Sequence, residues 1–348
     1  MQPFPQADGT MTAAEPVRPE ETAQGLVGVL TNTGATRVRR SLKALREAIG
    51  GSRGVLHVEI RDPGDVPDAL RLLAASGVSL LCINGGDGTV QMVAEALDRG
   101  VWRGTPPPIA VLAGGHTNLI ATDLGTAGDP LRVFARLLAA QRGDAPSGRA
   151  PRVVTRVPVR IEGGGLARAR AGFFVGLAGI PRATDWARRR VQHPLVPLWL
   201  HDAASILLLA ASALLDLGRS PLAPVPLAFT LEDGRVVEDA FSVAIATSLP
   251  RLLLGARLFA RHDGETVQFA AFSRLGPALV RALMAALRHR LHLARMKELT
   301  LERVRRLVVA GAGEIVVDGE IVDLDPGEPL VLSAGRPLRF LALRADPR

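Results

Sequence analysis

The sequence predicts an α/β fold followed by a β-rich one: a layered α/β domain over residues 25–142, then a β-sandwich-like domain over 151–348 with helical insertions. Three observations carry this. From Gly25 to about Arg142, short apolar runs alternate with helix-period segments, the sign of βαβ units on a parallel sheet. The stretch Gly143-Asp144-Ala145-Pro146-Ser147-Gly148 then breaks the pattern, as a linker over 143–150 would. Beyond it come many alternating apolar runs joined by Gly turns, the pattern of antiparallel strands.

Taken in order, residues 1–24 are Pro-rich and acidic-containing with no apolar central run, so a disordered leader is expected there and not a signal peptide. Strands are expected at 26–31, 55–60, 79–83 and 109–112. Helices at 37–48, 67–75 and 90–97 lie between them, with apolar residues three and four apart. In the second half, strands are expected at 153–161, 170–176, 226–231, 240–246, 266–272, 314–317, 330–332 and 338–343, with helical insertions near 186–217 and 276–293. No internal repeat is present.

Length and composition agree with this reading. A chain of 348 residues favours two domains. Apolar residues make up 47% but aromatics only 4%, with no Tyr, so the cores must be built from Leu, Val, Ala and Ile. The single cysteine, Cys82, sits inside the apolar run 79–83, which excludes an internal disulfide framework and suits a reducing compartment. Lys and Arg outnumber Asp and Glu by 42 to 34, mostly through Arg; this suits a phosphate-bearing partner, whether nucleotide, nucleic acid or anionic lipid. The charges are dispersed, however, as on ordinary solvated faces, and no aromatic stacking platform accompanies them, so no nucleic acid is expected. The longest apolar stretch, 203–215, is shorter than the roughly 20 residues a bilayer demands and reads as a buried or interfacial helix. A cytoplasmic protein is expected, with peripheral contact to the inner membrane face.

The strongest local signal is Gly85-Gly86-Asp87-Gly88-Thr89, directly after a buried strand and directly before a helix. Strand, glycine loop and helix together present backbone N–H groups and a positive helix end to phosphate oxygens. The loop is neither GxGxxG nor a Walker sequence. Its plainest alternative is a tight turn with Asp87 capping the helix.

A GGDGT loop in this position resembles that of the diacylglycerol and sphingosine kinase superfamily and the related NAD kinases, where it binds the ATP phosphates. Two further runs are similar to that family: Ala113-Gly114-Gly115-His116-Thr117-Asn118, which looks like its second glycine loop, and Thr31-Asn32-Thr33-Gly34-Ala35-Thr36, which looks like the loop after its first strand. The resemblance implies ATP and Mg²⁺, with Asn32, Gly34, Thr36, Gly85, Gly86, Asp87, Gly88, Thr89, Gly115, His116, Thr117 and Asn118 around the nucleotide. It assigns no residue to the metal.

The β-rich half separates lipid kinases from NAD kinases. Val317-Asp318-Gly319-Glu320 looks like the Asp-Gly-Glu run of the former, Arg261-His262-Asp263-Gly264 resembles the Asp-Gly before their late strand, and the run 172–179 resembles the strand and glycine turn opening their lipid domain. Asp318 and Glu320, two apart across a Gly, can place a base and its orienting partner in one cleft, although Asp-Gly is also the commonest hairpin pair. Phosphoryl transfer needs positioning, charge neutralisation and a carboxylate to take the hydroxyl proton. Asp318 is the first candidate for that base; Asp87 is the second, the role that likeness to sphingosine kinases would give it. Leu119 departs from the family, many of whose members have Asp there, while sphingosine kinases are apolar at this position; Asp123 lies one helical turn on. His116 stands where Thr or Ser is common. The apolar and basic insertion 186–217 suits either an anionic membrane face or a core helix pair with a basic edge. The expected function is an ATP-dependent lipid kinase acting on a diacylglycerol-type hydroxyl, with a silent nucleotide- or lipid-binding relative and an NAD kinase as alternatives.

Overall fold

Four apolar runs, β1 (Leu26–Asn32), β2 (Val55–Ile60), β3 (Val78–Gly85) and β4 (Ile109–Ala113), pair in parallel in the order β2-β1-β3-β4. The computed structural model describes residues 25–35, 37–115, 118–144, 150–191, 222–252, 255–260, 263–273, 277–294 and 296–343. Every residue of β3 except Ser79 is buried, so this strand needs cover on both faces. Alternation supplies two apolar faces. Leu81 and Ile83 pack with Leu70, Leu73, Val90 and Leu97, from α2 (Val66–Ala75) and α3 (Asp87–Asp98). Leu80 and Cys82 pack with Leu45, Ile49, Phe134 and Leu137, from α1 (Val38–Gly50) and α5 (Pro130–Gln141). A short helix, α4 (Leu119–Leu124), follows β4. Burial pushes the Cys82 thiol up to about 12, so it behaves as a small hydrophobe.

Sheet membership does not follow the sequence division at 143–150. The next strand, β5 (Arg152–Arg156), completes the first sheet, and β18 (Leu338–Ala342) slots between β4 and β5. The expected single strand 153–161 is therefore two: Pro158, which lacks an N–H, separates β5 from β6 (Val159–Gly163), and the two halves enter different sheets.

The remaining strands form two antiparallel sheets packed face to face. One has the order β10-β9-β14-β17-β6-β7, with β7 (Arg170–Gly172), β9 (Val225–Thr230), β10 (Val236–Phe241), β14 (Arg306–Ala310) and β17 (Leu330–Ala334). The other runs β13-β12-β11-β8-β15-β16, with β8 (Phe174–Ala178), β11 (Val243–Thr247), β12 (Val267–Phe272), β13 (Leu299–Val304), β15 (Glu314–Val317) and β16 (Glu320–Asp323). Their shared core centres on Phe229, whose ring lies 4.9 Å from Phe241 and 4.8 Å from Phe269. Two more expected strands, 170–176 and 240–246, also break, at Phe173 and Ser242, because the chain there crosses from one sheet to the other. Strands β13, β14 and β16 were not expected from the sequence.

Two helices flank the sandwich, α6 (Ile180–Val191) and α7 (Pro277–Leu287). The first begins before the expected insertion 186–217, most of which lies outside the described residues, as do the leader 1–24 and residues 145–149 of the linker. Among the described residues, no helix is long and apolar enough to cross a membrane. The expected order of an α/β unit and a β-sandwich is met.

Candidate active site

Three loops meet at the carboxyl edge of the parallel sheet, where ligands of open α/β sheets gather. The loop after β1 is closed by Asn32, whose Oδ1 accepts from Gly34 N at 2.9 Å. Its Nδ2 donates to Thr89 Oγ1 at 3.0 Å, joining that loop to the first turn of α3. The loops after β3 and β4 touch backbone to backbone. Gly114 N donates to Gly85 O at 2.8 Å, and a Cβ on Gly115 would sit 2.6 Å from Gly86 Cα. The glycines are therefore required by loop-to-loop contact and not only by the turn. A Cβ on Gly88 meets nothing within 4 Å, so the start of α3 faces open space. Thr36, His116 and Thr117 lie outside the described residues.

Asp87 does not cap its own helix. Its carboxylate accepts from Leu119 N at 2.9 Å and Ile120 N at 3.1 Å, capping α4 across the second glycine loop. The family departure at Leu119 thus leaves its backbone N–H in use. Asn118, in the left-handed region at φ 47°, exchanges two 2.8 Å bonds with Gly115, one to N and one to O, and so closes that loop on itself. Asp123 is buried at the end of α4, its Oδ2 2.9 Å from Arg156 Nε on β5. It serves as an interior ion pair, away from the glycine loops' surface.

Asp318 and Gly319, at φ 47° and 94°, form the two-residue turn between β15 and β16, where Val317 pairs with Glu320. Both left-handed positions are what such a turn requires. The half-buried turn folds back onto the β7–β8 crossing. Asp318 N donates to Phe174 O at 2.9 Å, and its carboxylate accepts from Phe173 N at 2.9 Å and Phe174 N at 2.8 Å. A Cβ on Gly172 would stand 2.9 Å from Asp318 Oδ2 and 2.5 Å from Val317 Cγ1, so glycine is needed beneath the carboxylate. Burial pushes the Asp318 carboxyl up to about 8 against the pull of these N–H donors, and the nearby Asp87 and Glu95 charges add to the rise.

Glu320 does not join Asp318. Its exposed carboxylate accepts from Arg170 Nη2 at 2.8 Å, and Arg170 Nε in turn lies 3.4 Å from Glu95 Oε1. Sequence reasoning missed Glu95 and Arg170. Their signal was the polar series Asp87, Gln91, Glu95 and Asp98, at one-face spacing on an otherwise apolar helix. Among the described residues, no three His, Cys, Asp or Glu side chains gather to hold a metal ion.

The helix that starts at the glycine loop and the Asp318 turn both fasten onto the short segment 171–174 at the β7–β8 crossing. Residues 27–150, which include all three loops, match the family model of the diacylglycerol kinase catalytic domain. Three solved structures from Bacillus anthracis str. Sterne, all named as diacylglycerol kinases, share the fold of nearly the whole chain. The first is 14% identical with a TM-score of 0.61, covering 91% of this chain and 96% of the other. The second, at 12% and 0.53, covers the same shares. The third, at 15% and 0.57, covers 91% and 97%. No curated protein matches the chain in sequence. The resemblance to the diacylglycerol kinase-like lipid kinases is thus borne out, by the domain match over 27–150 and by the fold over most of the chain.

Proposed function

We propose that this chain is an ATP-dependent lipid kinase that moves the γ-phosphoryl group of ATP to the hydroxyl of diacylglycerol or a related lipid. The observation that carries the reading is Asp318: a hairpin-turn carboxyl of raised proton affinity, close enough to Asp87 of the GGDGT loop to feel its charge. In this reading the ATP phosphates rest on the glycine loops and the start of α3, with Thr89 and Asn118 fixing loop shape through the bonds already described. The lipid hydroxyl comes from the sandwich side. Its proton passes to ionised Asp318, its oxygen forms a bond to the γ-phosphorus, and the bond to the β–γ bridging oxygen breaks to release ADP. Both carboxylates accept backbone N–H groups, and the raised proton affinity of Asp318 makes it the better acceptor of that proton. Glu320 orients Arg170 instead of touching the reacting atoms.

Mg²⁺ is the ion such chemistry uses, and it is commonly carried by substrate phosphates with few protein ligands. The absence of a carboxylate or imidazole cluster among the described residues fits an ion that arrives with the nucleotide and neutralises phosphate charge. In this reading the protein meets a membrane surface as a peripheral visitor, on the cytoplasmic side where ATP is supplied.

The deciding experiment supplies γ-labelled ATP and Mg²⁺ with diacylglycerol, monoacylglycerol, sphingosine or ceramide in mixed micelles, and NAD as a separate acceptor. Label in a lipid, abolished by Asp318→Asn, is the expected result. Label in NAD alone would make the protein an NAD kinase, and ATP binding without any transfer would make it a silent relative.

A further inference from the structure

We propose that Glu95 and Arg170 are positioning residues of the transfer site, bolting α3 to β7 so that the glycine loops and the Asp318 turn face each other at a fixed separation. The inference rests on the kinase reading for its catalytic meaning and on contacts alone for its geometry.

Asp87, Gln91, Glu95 and Asp98 lie along one face of α3, and each is engaged with something outside the helix or with its neighbour on the stripe. Asp87 caps α4. Gln91, buried, donates to Glu95 Oε1 at 3.4 Å. Asp98 pairs with Arg160 of β6. Glu95, also buried, accepts from Ala171 N at 3.3 Å and meets Arg170 Nε at 3.4 Å, with Arg99, just past the end of α3, at 3.9 Å. The second half of the helix that begins at the glycine loop is therefore fastened to the sandwich, at β7 through Glu95 and at β6 through Asp98.

The fastening point adjoins the proton acceptor. Glu95 takes the N–H of residue 171 and Asp318 takes those of 173 and 174, so two carboxylates from different elements sit along one short segment. Alternate N–H groups on an extended chain point the same way and lie about 7 Å apart. Arg170 then reaches past Glu95 to Glu320, on the strand that follows the Asp318 turn. Moving Glu95 would move residue 171, and with it the donors that hold Asp318.

The same placement gives Glu95 an electrostatic effect. The charges facing Asp318 are Asp87 and Glu95, both from α3, and both raise its proton affinity; Arg170 is held between Glu95 and Glu320. Removing the Glu95 charge lowers the pH at which Asp318 ionises.

The test compares Glu95→Gln and Glu95→Ala with the parent chain. Asp318 is titrated by carbon-13 NMR of its carboxyl, identified by its loss in Asp318→Asn, and transfer from ATP to lipid is measured across the same pH range. In Glu95→Gln the Asp318 midpoint should fall by about half a unit, and the acid limb of kcat should move with it. In Glu95→Ala, kcat should fall roughly tenfold or more with KM for ATP unchanged, a split expected when only the acceptor is misplaced. An unmoved Asp318 midpoint in Glu95→Gln, or a Glu95→Ala protein as active as the parent, would overturn the proposal. So would activity lost only in step with folded protein. If the parent chain labels no lipid, the kinase reading fails by itself, and the NMR midpoint still decides whether Glu95 governs Asp318.

Discussion

Replacing Asp318 by Asn isolates the proton-accepting step. Asparagine is close to isosteric, and the atom it keeps, Oδ1, already lies 3.0 Å from Phe173 N and 2.8 Å from Phe174 N, so the hairpin stays anchored. What disappears is the titration. With the acid constant at about 8, roughly a tenth of the carboxyls are ionised at pH 7 and roughly nine-tenths at pH 9. A base that must be ionised therefore predicts a rise of about tenfold in kcat across that interval. The variant should lose this limb and about 10²–10⁴ of the rate, the usual share of a positioned general base. Initial rates of label transfer into diacylglycerol micelles between pH 6 and 9.5 measure both effects. The stability sign runs the other way. A carboxyl whose folded-state constant is raised favours the fold while protonated, a contribution full below about pH 4 and lost as pH rises through about 8. The melting temperature of the parent chain should carry a downward slope in that window which the Asn variant lacks. A flat rate profile through pH 8, or a variant at parental rates, would refute the assignment of Asp318 as base.

Two further outcomes follow from packing. Gly115→Ala puts a methyl 2.6 Å from Gly86 Cα, and the overpacking of two backbones should cost about 1–3 kcal/mol and spread the loops. Calorimetric titration with ATP should show the affinity reduced, whereas Gly88→Ala, which meets nothing within 4 Å and lies within α3, should hold or slightly raise the melting temperature. Arg156→Leu leaves the buried Asp123 carboxylate without its 2.9 Å guanidinium contact and should destabilise the fold by about 3–5 kcal/mol in urea unfolding. Adding Asp123→Leu to it should recover much of that loss; a single variant as stable as the parent would contradict the reading of this pair.

What the sequence made legible is what is local. The parallel half was readable because βαβ order is written in short apolar runs and helix periods, and the loop Gly85-Gly86-Asp87-Gly88-Thr89 falls where strand gives way to helix. The Asp318–Gly319 turn was readable because its backbone demands that pair. The corners at Phe173 and Ser242 were not, since a strand that changes sheets keeps its alternation and differs only in its partners. For the same reason the partner of Asp87 was not legible: nothing local says that a carboxylate at the start of α3 will serve an N-terminus 32 residues on. Glu95 was on a polar stripe that could have been read, but its partner Arg170 lies far along the chain and nothing local pairs the two.

The place of β18 has a consequence for how the molecule comes into being. Strand 338–342 lies between β4 and β5, with Phe340 packed 5.9 Å from Phe173 at the heart of the molecule. On the ribosome, the glycine loops emerge when barely a third of the chain has been made, yet the sheet that carries them cannot close until residues 338–342 follow. A nascent chain would thus lack the strand that joins β4 to β5 until residues 338–342 have been made. A product ending before residue 338 would carry the glycine loops without the strand that ties β4 to β5.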